Sequence, residues 1–405
     1  MYVRNIVNEQ NKPVYLLMND DNTVVMEVLK YVMHLARTGK SKYTMRNACH
    51  NLKQYYEWLS ENDLTYLDVV SGKDKSAVEY LTDFVMWLKY PNYDPKIISF
   101  NQEEIKAERT NNTINQKMST IYGFYDYLSL AENLPELKAY KTLRQKMPNH
   151  SFLSEMVRAR EVRSPVLKLK AEPRRIKYIT REDYWKIYKA CTCRRDRIIC
   201  GLLLDGAMRV SEVVGLRIED AKALYEGKMQ IKKRTDPGNP DAAVKYDSEG
   251  IVFIPDYLKK EIAAYLVEIS DIDTNYLIFN QYGDNKYQPM KTDTIRKMLI
   301  ATAKRAGLEK HVTPHMFRHG AAVEMADKIA TESTNPDSEY YGLQMVDIKD
   351  RLRHSSMEST KIYAEFTEAG SEAMAKAHLK AVDEEYTESG IEALVDAIIG
   401  GNKNG

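Results

Sequence analysis

Three stretches of this chain carry side chains suited to chemistry on an anion. DGAMRVSEVVGL (205–216) holds Arg209 with Glu212 three residues on, a spacing that lets one helical turn bring guanidinium and carboxylate together. TPHMFRHG (313–320) sets His315 and Arg318 three apart behind Thr313 and Pro314. Those two residues read as a helix start, so both side chains could face one anion there. RLRHSSMESTKIYAEF (351–366) is too polar to be mainly core and carries His354 with Tyr363 nine residues later. Each stretch has a plainer reading: Arg209 and Glu212 could be a buried ion pair joining two helices, and HxxR alone could be a capping feature.

Other chemistries find less support. Gly39-Lys40-Ser41 resembles the end of a phosphate-binding loop, but His34 stands where its first glycine is needed. The chain has no H-E-x-x-H, no G-x-S-x-G and no dinucleotide fingerprint. Cys49, Cys191, Cys193 and Cys200 lack paired zinc-site spacing and read as reduced cytoplasmic thiols. No metal and no cofactor is expected. No apolar run approaches a membrane span, and the N-terminus lacks the apolar stretch of a signal peptide. A soluble, non-secreted protein is the expectation.

These residues need elements to position them. Of the 405 residues 43% are hydrophobic, enough for two or three cores. Residues 1–22 form a short segment with apolar alternation. Over 23–135 apolar residues recur at helical spacing, as in Ile114, Met118, Ile121, Tyr125 and Leu128, which predicts a compact helical domain. Its polar faces carry Lys40, Lys42 and Arg46 in one place and Asn112, Asn115 and Lys117 in another, which suits phosphate contact and equally a solvated surface.

The net charge of +1 conceals a polarised chain. Between 137 and 177 twelve basic residues, Arg174, Arg175 and Lys177 among them, stand against three acidic ones, with Pro148, Pro165 and Pro173. The acidic tail supplies the balance. Residues 136–177 read as a basic interdomain linker whose self-repulsion an anionic backbone would relieve by counterion release. From 178 the pattern mixes helices with KMQIKK and IVFIP, two strands around a loop rich in Pro, Gly and Asp, expected to be long and mobile. Residues 178–370 read as one domain and 371–405 as a tail.

Arg209, HxxR and the histidine with its tyrosine, in that order, resemble the three sequence boxes of the tyrosine recombinase (phage integrase) family. The resemblance covers roughly 178–370 and, more loosely, the helical domain before it. It implies a mainly α fold with a small β-sheet in an α+β catalytic domain, joined to a helical core-site DNA-binding domain as a two-domain, C-shaped clamp. It implies that Tyr363 attacks the scissile phosphate to give a 3′-phosphotyrosine and a free 5′-hydroxyl. Arg209 and Arg318 would hold the non-bridging oxygens, His354 would add a hydrogen bond, His315 would assist proton transfer, and Glu212 would orient these groups. A hairpin lysine would protonate the leaving oxygen. Lys245 is favoured over Lys233.

The implied function is a site-specific recombinase or integrase of a mobile element, acting on double-stranded DNA as a homo-tetramer, and a monomer or weak oligomer without it. Accessory DNA-bending proteins are compatible with it, a membrane partner is not, and a bacterial cytoplasm near the nucleoid is the expected location. Type IB topoisomerases and telomere resolvases share the chemistry, and a non-catalytic DNA-binding regulator is the alternative of another class. The sequence departs from the family in a longer stretch between Arg318 and His354, and in Arg353, where a glycine is usual. Arg353 is expected to alter that turn or add a phosphate contact. The tail helix IEALVDAII would dock on its own catalytic domain or, as the resemblance implies, in a neighbouring protomer.

Overall fold

The computed structural model of the chain describes residues 1–7, 13–90, 108–145, 160–172, 176–234, 236, 238–242, 249–353, 360 and 363. It divides into two compact units, Met1–Arg174 and Arg175–Gly405. As expected, both are mainly helical, with three two-stranded antiparallel sheets among the described residues. No helix among these residues is long and apolar enough to cross a membrane.

The first unit opens with a hairpin, β1 (Tyr2–Val7) paired to β2 (Pro13–Met18). Five helices follow: α1 (Met26–Arg37), α2 (Lys42–Glu61), α3 (Tyr66–Ser71), α4 (Ala77–Lys89) and α5 (Asn111–Ala131). Their starts are chemically marked. Thr65 with Asp68 and Ser76 with Glu79 form reciprocal capping boxes, and Ser41 and Thr110 accept from the third residue of α2 and α5. The core is aromatic, built on Tyr55, Phe84 and Phe124. Two of its buried hydroxyls satisfy each other, with Tyr55 and Tyr125 bonded at 2.6 Å and Tyr125 donating to the Tyr66 carbonyl at 3.1 Å.

The segment expected to be a plain linker has structure. Tyr140–Gln145 (β3) pairs with Arg160–Pro165 (β4), with Arg163 lying 3.8 Å over the Tyr140 ring. The chain after β4 is then fastened along α5: Asn115 makes two 2.9 Å bonds to the Leu169 peptide, and the Asn111 and Asn112 amides donate to the Lys170 and Glu172 carbonyls. The asparagines that might have faced phosphate instead imitate the pairing edge of a strand. Much of this basic segment thus belongs to the first unit.

The second unit is built around α7 (Arg194–Leu204), buried from Ile198 to Leu204. Around it stand α6 (Arg181–Ala190), α8 (Val210–Val214), α9 (Asp256–Glu268), α10 (Thr292–Arg305), α11 (Pro314–Glu332) and α12 (Met345–Arg351). The third hairpin joins β5 (Lys228–Ile231) to β6 (Gly250–Phe253). Pro314 occupies the first turn of α11, where its missing N–H has no cost. Close approach there depends on Gly320, where an added Cβ would stand 2.2 Å from the Ile179 carbonyl oxygen.

The loop after β5, expected to be mobile, is pinned where it is described. Arg234 grips Asp220 and Glu219, and Arg217 meets Asp236 at 2.5 Å. Asn239 donates to the Val214 carbonyl, and Asp241 accepts from the backbone N–H and hydroxyl of Thr292 at the start of α10. The longer stretch after α11 is a closed turn, fastened by the Gly342 N–H on the Ser333 carbonyl at 2.9 Å and by Ser338 on Glu332 at 2.8 Å.

Candidate active site

Arg209 caps α8, and its backbone N–H and Nη1 both donate to Glu212, at 2.8 and 2.7 Å. The predicted one-turn pairing is therefore present, and it is buried, since the Glu212 side chain is 0% exposed. The same carboxylate accepts from Nη2 of Arg353 at 2.7 Å. A buried carboxylate needs such charge-assisted donors. Here two arginines supply them.

Arg318, on the first turns of α11, is 2% exposed and donates to the carbonyls of Ala207 and Leu352. Among the described residues no carboxylate pairs with it. Burial first, then the neighbouring Arg209, pushes its pKa down to about 9, and Glu212 opposes this. A guanidinium held dry without a paired carboxylate among the described residues is costly, which favours delivery of an anion to it.

Arg209 completes the arrangement by donating Nη2 to the Arg353 carbonyl at 3.2 Å. Consecutive carbonyls, Leu352 and Arg353, thus hold the two arginines. The backbone is bent for this, because Ala207 (φ 46°) and Arg353 (φ 51°) are both left-handed, a conformation that disfavours a side chain. Arg353 adopts the backbone that a glycine at this place would serve. The expectation that its side chain reaches a phosphate differs from the structure, which turns it inward onto Glu212.

Tyr363 is 2% exposed. Burial raises its pKa, against the lowering effects of Arg318 and Arg209, so both arginines act on its hydroxyl. His319 Nδ1 lies 2.9 Å from that hydroxyl, and the His315 ring stacks on His319 with centroids 4.8 Å apart and planes 15° from parallel. Burial first, then His315 and Arg318, depress the His319 pKa to about 4. The sequence reading did not single out His319. The signal was present, in that it follows Arg318 directly and lies four residues, one helical turn, after His315.

Arg209, Glu212, Arg318 and Tyr363 are therefore brought together, with His315 one ring away. Lys245 and His354 lie outside the described residues, as do Arg174, Arg175 and the tail helix. Lys232 and Lys233 are exposed after β5, and the Lys233 backbone N–H donates to Glu249 at 2.5 Å. In the first unit Lys40 and Arg46 are exposed, as is Lys177 in the second. Lys117 is half-buried between α5 and α2 and donates to Gln54 at 2.7 Å. It braces the helices. The His50 pKa is lowered by burial, then by Arg46, Lys53 and Lys117.

Comparison with known proteins places the sequence and the fold. The phage integrase family matches residues 177–369. Transposase A from transposon Tn554 of Staphylococcus aureus is 27% identical over 360 residues, covering 87% of this chain and 91% of the transposase. Tyrosine recombinase XerA of Thermococcus kodakarensis is 25% identical over 352 residues, covering 86% and 93%. Among solved structures, the Tn1549 transposon integrase in complex with transposon right end DNA matches with a TM-score of 0.53 and 14% identity, over 87% of this chain and 99% of that one, a likeness of fold. The family match spans Arg209, Arg318 and Tyr363, so residues 177–369 carry a phage integrase family domain, and the two relatives are similar to the chain along nearly their whole length.

Proposed function

We propose that the protein is a DNA breaking and rejoining enzyme, a site-specific recombinase that integrates and excises a mobile element. The observation that carries this reading is the buried Arg318, without a carboxylate among the described residues, beside Arg209 and the Tyr363 hydroxyl. That is a site prepared for an oxyanion and a nucleophile. Tyr363 attacks phosphorus in line, the P–O5′ bond breaks, and the 3′-phosphate is carried on the tyrosine. Arg209 and Arg318 hold the non-bridging oxygens with planar forks, which a lysine point charge would not replace. Glu212 fixes the Arg209 fork, His354 donates to the same oxygens, and Lys245 protonates the leaving oxygen. The ester bond energy is kept, so religation needs no nucleotide.

The Tn554 and Tn1549 relatives support the mobile-element role. DNA would lie along the positive face of α2 and α5 with Lys40, Lys42 and Arg46, and along Arg174, Arg175 and Lys177. The active assembly is a tetramer on DNA. The test is a suicide duplex nicked beside the cleavage position. The native protein is expected to form a covalent adduct and Tyr363→Phe none. An adduct that persists in Tyr363→Phe removes this reading.

A further inference from the structure

The geometry points to His319 as a catalytic residue that takes the proton of Tyr363 during attack and returns it during religation. This rests on the recombinase reading above. His319 Nδ1 is 2.9 Å from the Tyr363 hydroxyl oxygen, a hydrogen bond to the reacting atom itself. In the Nε2–H tautomer Nδ1 is a lone-pair acceptor, so the phenol O–H donates to it. The ring is held from two sides. His319 lies in α11 beside Arg318, whose guanidinium is anchored on the Ala207 and Leu352 carbonyls, and His315 stacks on its face. The next residue, Gly320, sets the helix against Ile179. This is the fixed placement that proton transfer requires.

Among the described residues, the charged and titratable groups facing the ring are His315 and Arg318 on its own helix, with Tyr363 at hydrogen-bond distance. Burial, His315 and Arg318 keep His319 neutral, and so able to accept near pH 7. A bound phosphodiester brings the negative charge that offsets Arg318 and Arg209 and makes an imidazolium tolerable there. The step balances. The Tyr363 Oη–P bond forms, the P–O5′ bond breaks, the phenol proton moves to Nδ1, and the 5′-oxygen receives its proton from a separate donor. In religation the Oη–P bond breaks and Nδ1 returns the proton to the tyrosine oxygen. One group thus serves both directions.

The test is single-turnover cleavage of the nicked suicide duplex by the full chain, compared among the native protein, His319→Ala and His319→Asn, across pH 6.5 to 9. The asparagine carbonyl can stand where Nδ1 stood and hold the hydroxyl, but it cannot take a proton. Both variants are expected to bind DNA as the native protein does and to cleave about 100-fold more slowly, within the usual range for a lost general base. Their rates should also rise with pH as solvent removes the proton, while the native rate stays flat. Should His319→Ala fail to fold, His319→Asn carries the test. Native rate and a native pH profile in His319→Asn would overturn the proposal, as would a native rate in His319→Ala. If the native protein forms an adduct and Tyr363→Phe does not, such a result removes only the role of His319. If the native protein forms none, the recombinase reading itself has failed.

Discussion

Arg353 offers a sharp test because its backbone and side chain act in opposite directions. Its φ of 51° disfavours any residue with a Cβ, whereas its guanidinium meets the buried Glu212 carboxylate at 2.7 Å. Arg353→Gly removes a charge-assisted bond of about 1.5–3 kcal/mol and relieves about 1 kcal/mol of left-handed strain, leaving a net loss of about 1 kcal/mol. Arg353→Ala loses the same bond and keeps the strain, for a loss of about 2 kcal/mol. For a unit of this size the melting temperature should fall by roughly 3 °C for glycine and roughly 6 °C for alanine. Thermal unfolding by circular dichroism in low salt reads the order native, glycine, alanine. Both variants should still form the covalent adduct, because the Leu352 and Arg353 carbonyls that hold Arg318 and Arg209 belong to the main chain. An alanine variant as stable as the glycine variant, or either one as stable as the native protein, would refute the reasoning.

Three further outcomes are expected. His319 has its pKa depressed from 6.5 to about 4, so between these values the unfolded chain binds more protons and acidification destabilises the fold. His319→Asn should therefore show a shallower loss of stability than the native protein from pH 6.5 to 4 in urea melts, and parallel curves would contradict this. Gly320→Ala would drive a Cβ onto the Ile179 carbonyl oxygen at 2.2 Å, backbone that cannot step aside, and should cost roughly 3 kcal/mol or more, read as lost soluble yield or a lowered melting temperature. Asn115→Ala removes both bonds to the Leu169 peptide, so limited trypsin digestion should cut faster at the exposed Lys168 and Lys170, and an unchanged rate would mean that the segment is held otherwise.

Much of the site was legible because its parts are local in sequence. Arg209 and Glu212 are one turn apart, and Thr313 with Pro314 announces the helix that carries His315 and Arg318. What periodicity could not reveal were contacts made across long separations. Asn115 meets Leu169, and Asp241 meets Thr292. A run rich in Pro, Gly and charge therefore looked like tether or mobile loop while side-chain amides and carboxylates fastened it. Lys117 and Arg353 looked like phosphate ligands for the same reason, since a cation's type does not say whether its partner is DNA or a carboxylate or amide of its own fold. His319 was hidden by its neighbour, because HxxR drew attention to its two ends and left the next residue unread.

The two carbonyls at Leu352 and Arg353 also link the two arginines mechanically. Arg318 hangs from one and Arg209 from the next, while the Ala207 carbonyl and the Glu212 carboxylate hold their other edges. A shift at the end of α12 therefore reaches both guanidinium groups at once, and each keeps a second anchor that such a shift does not touch.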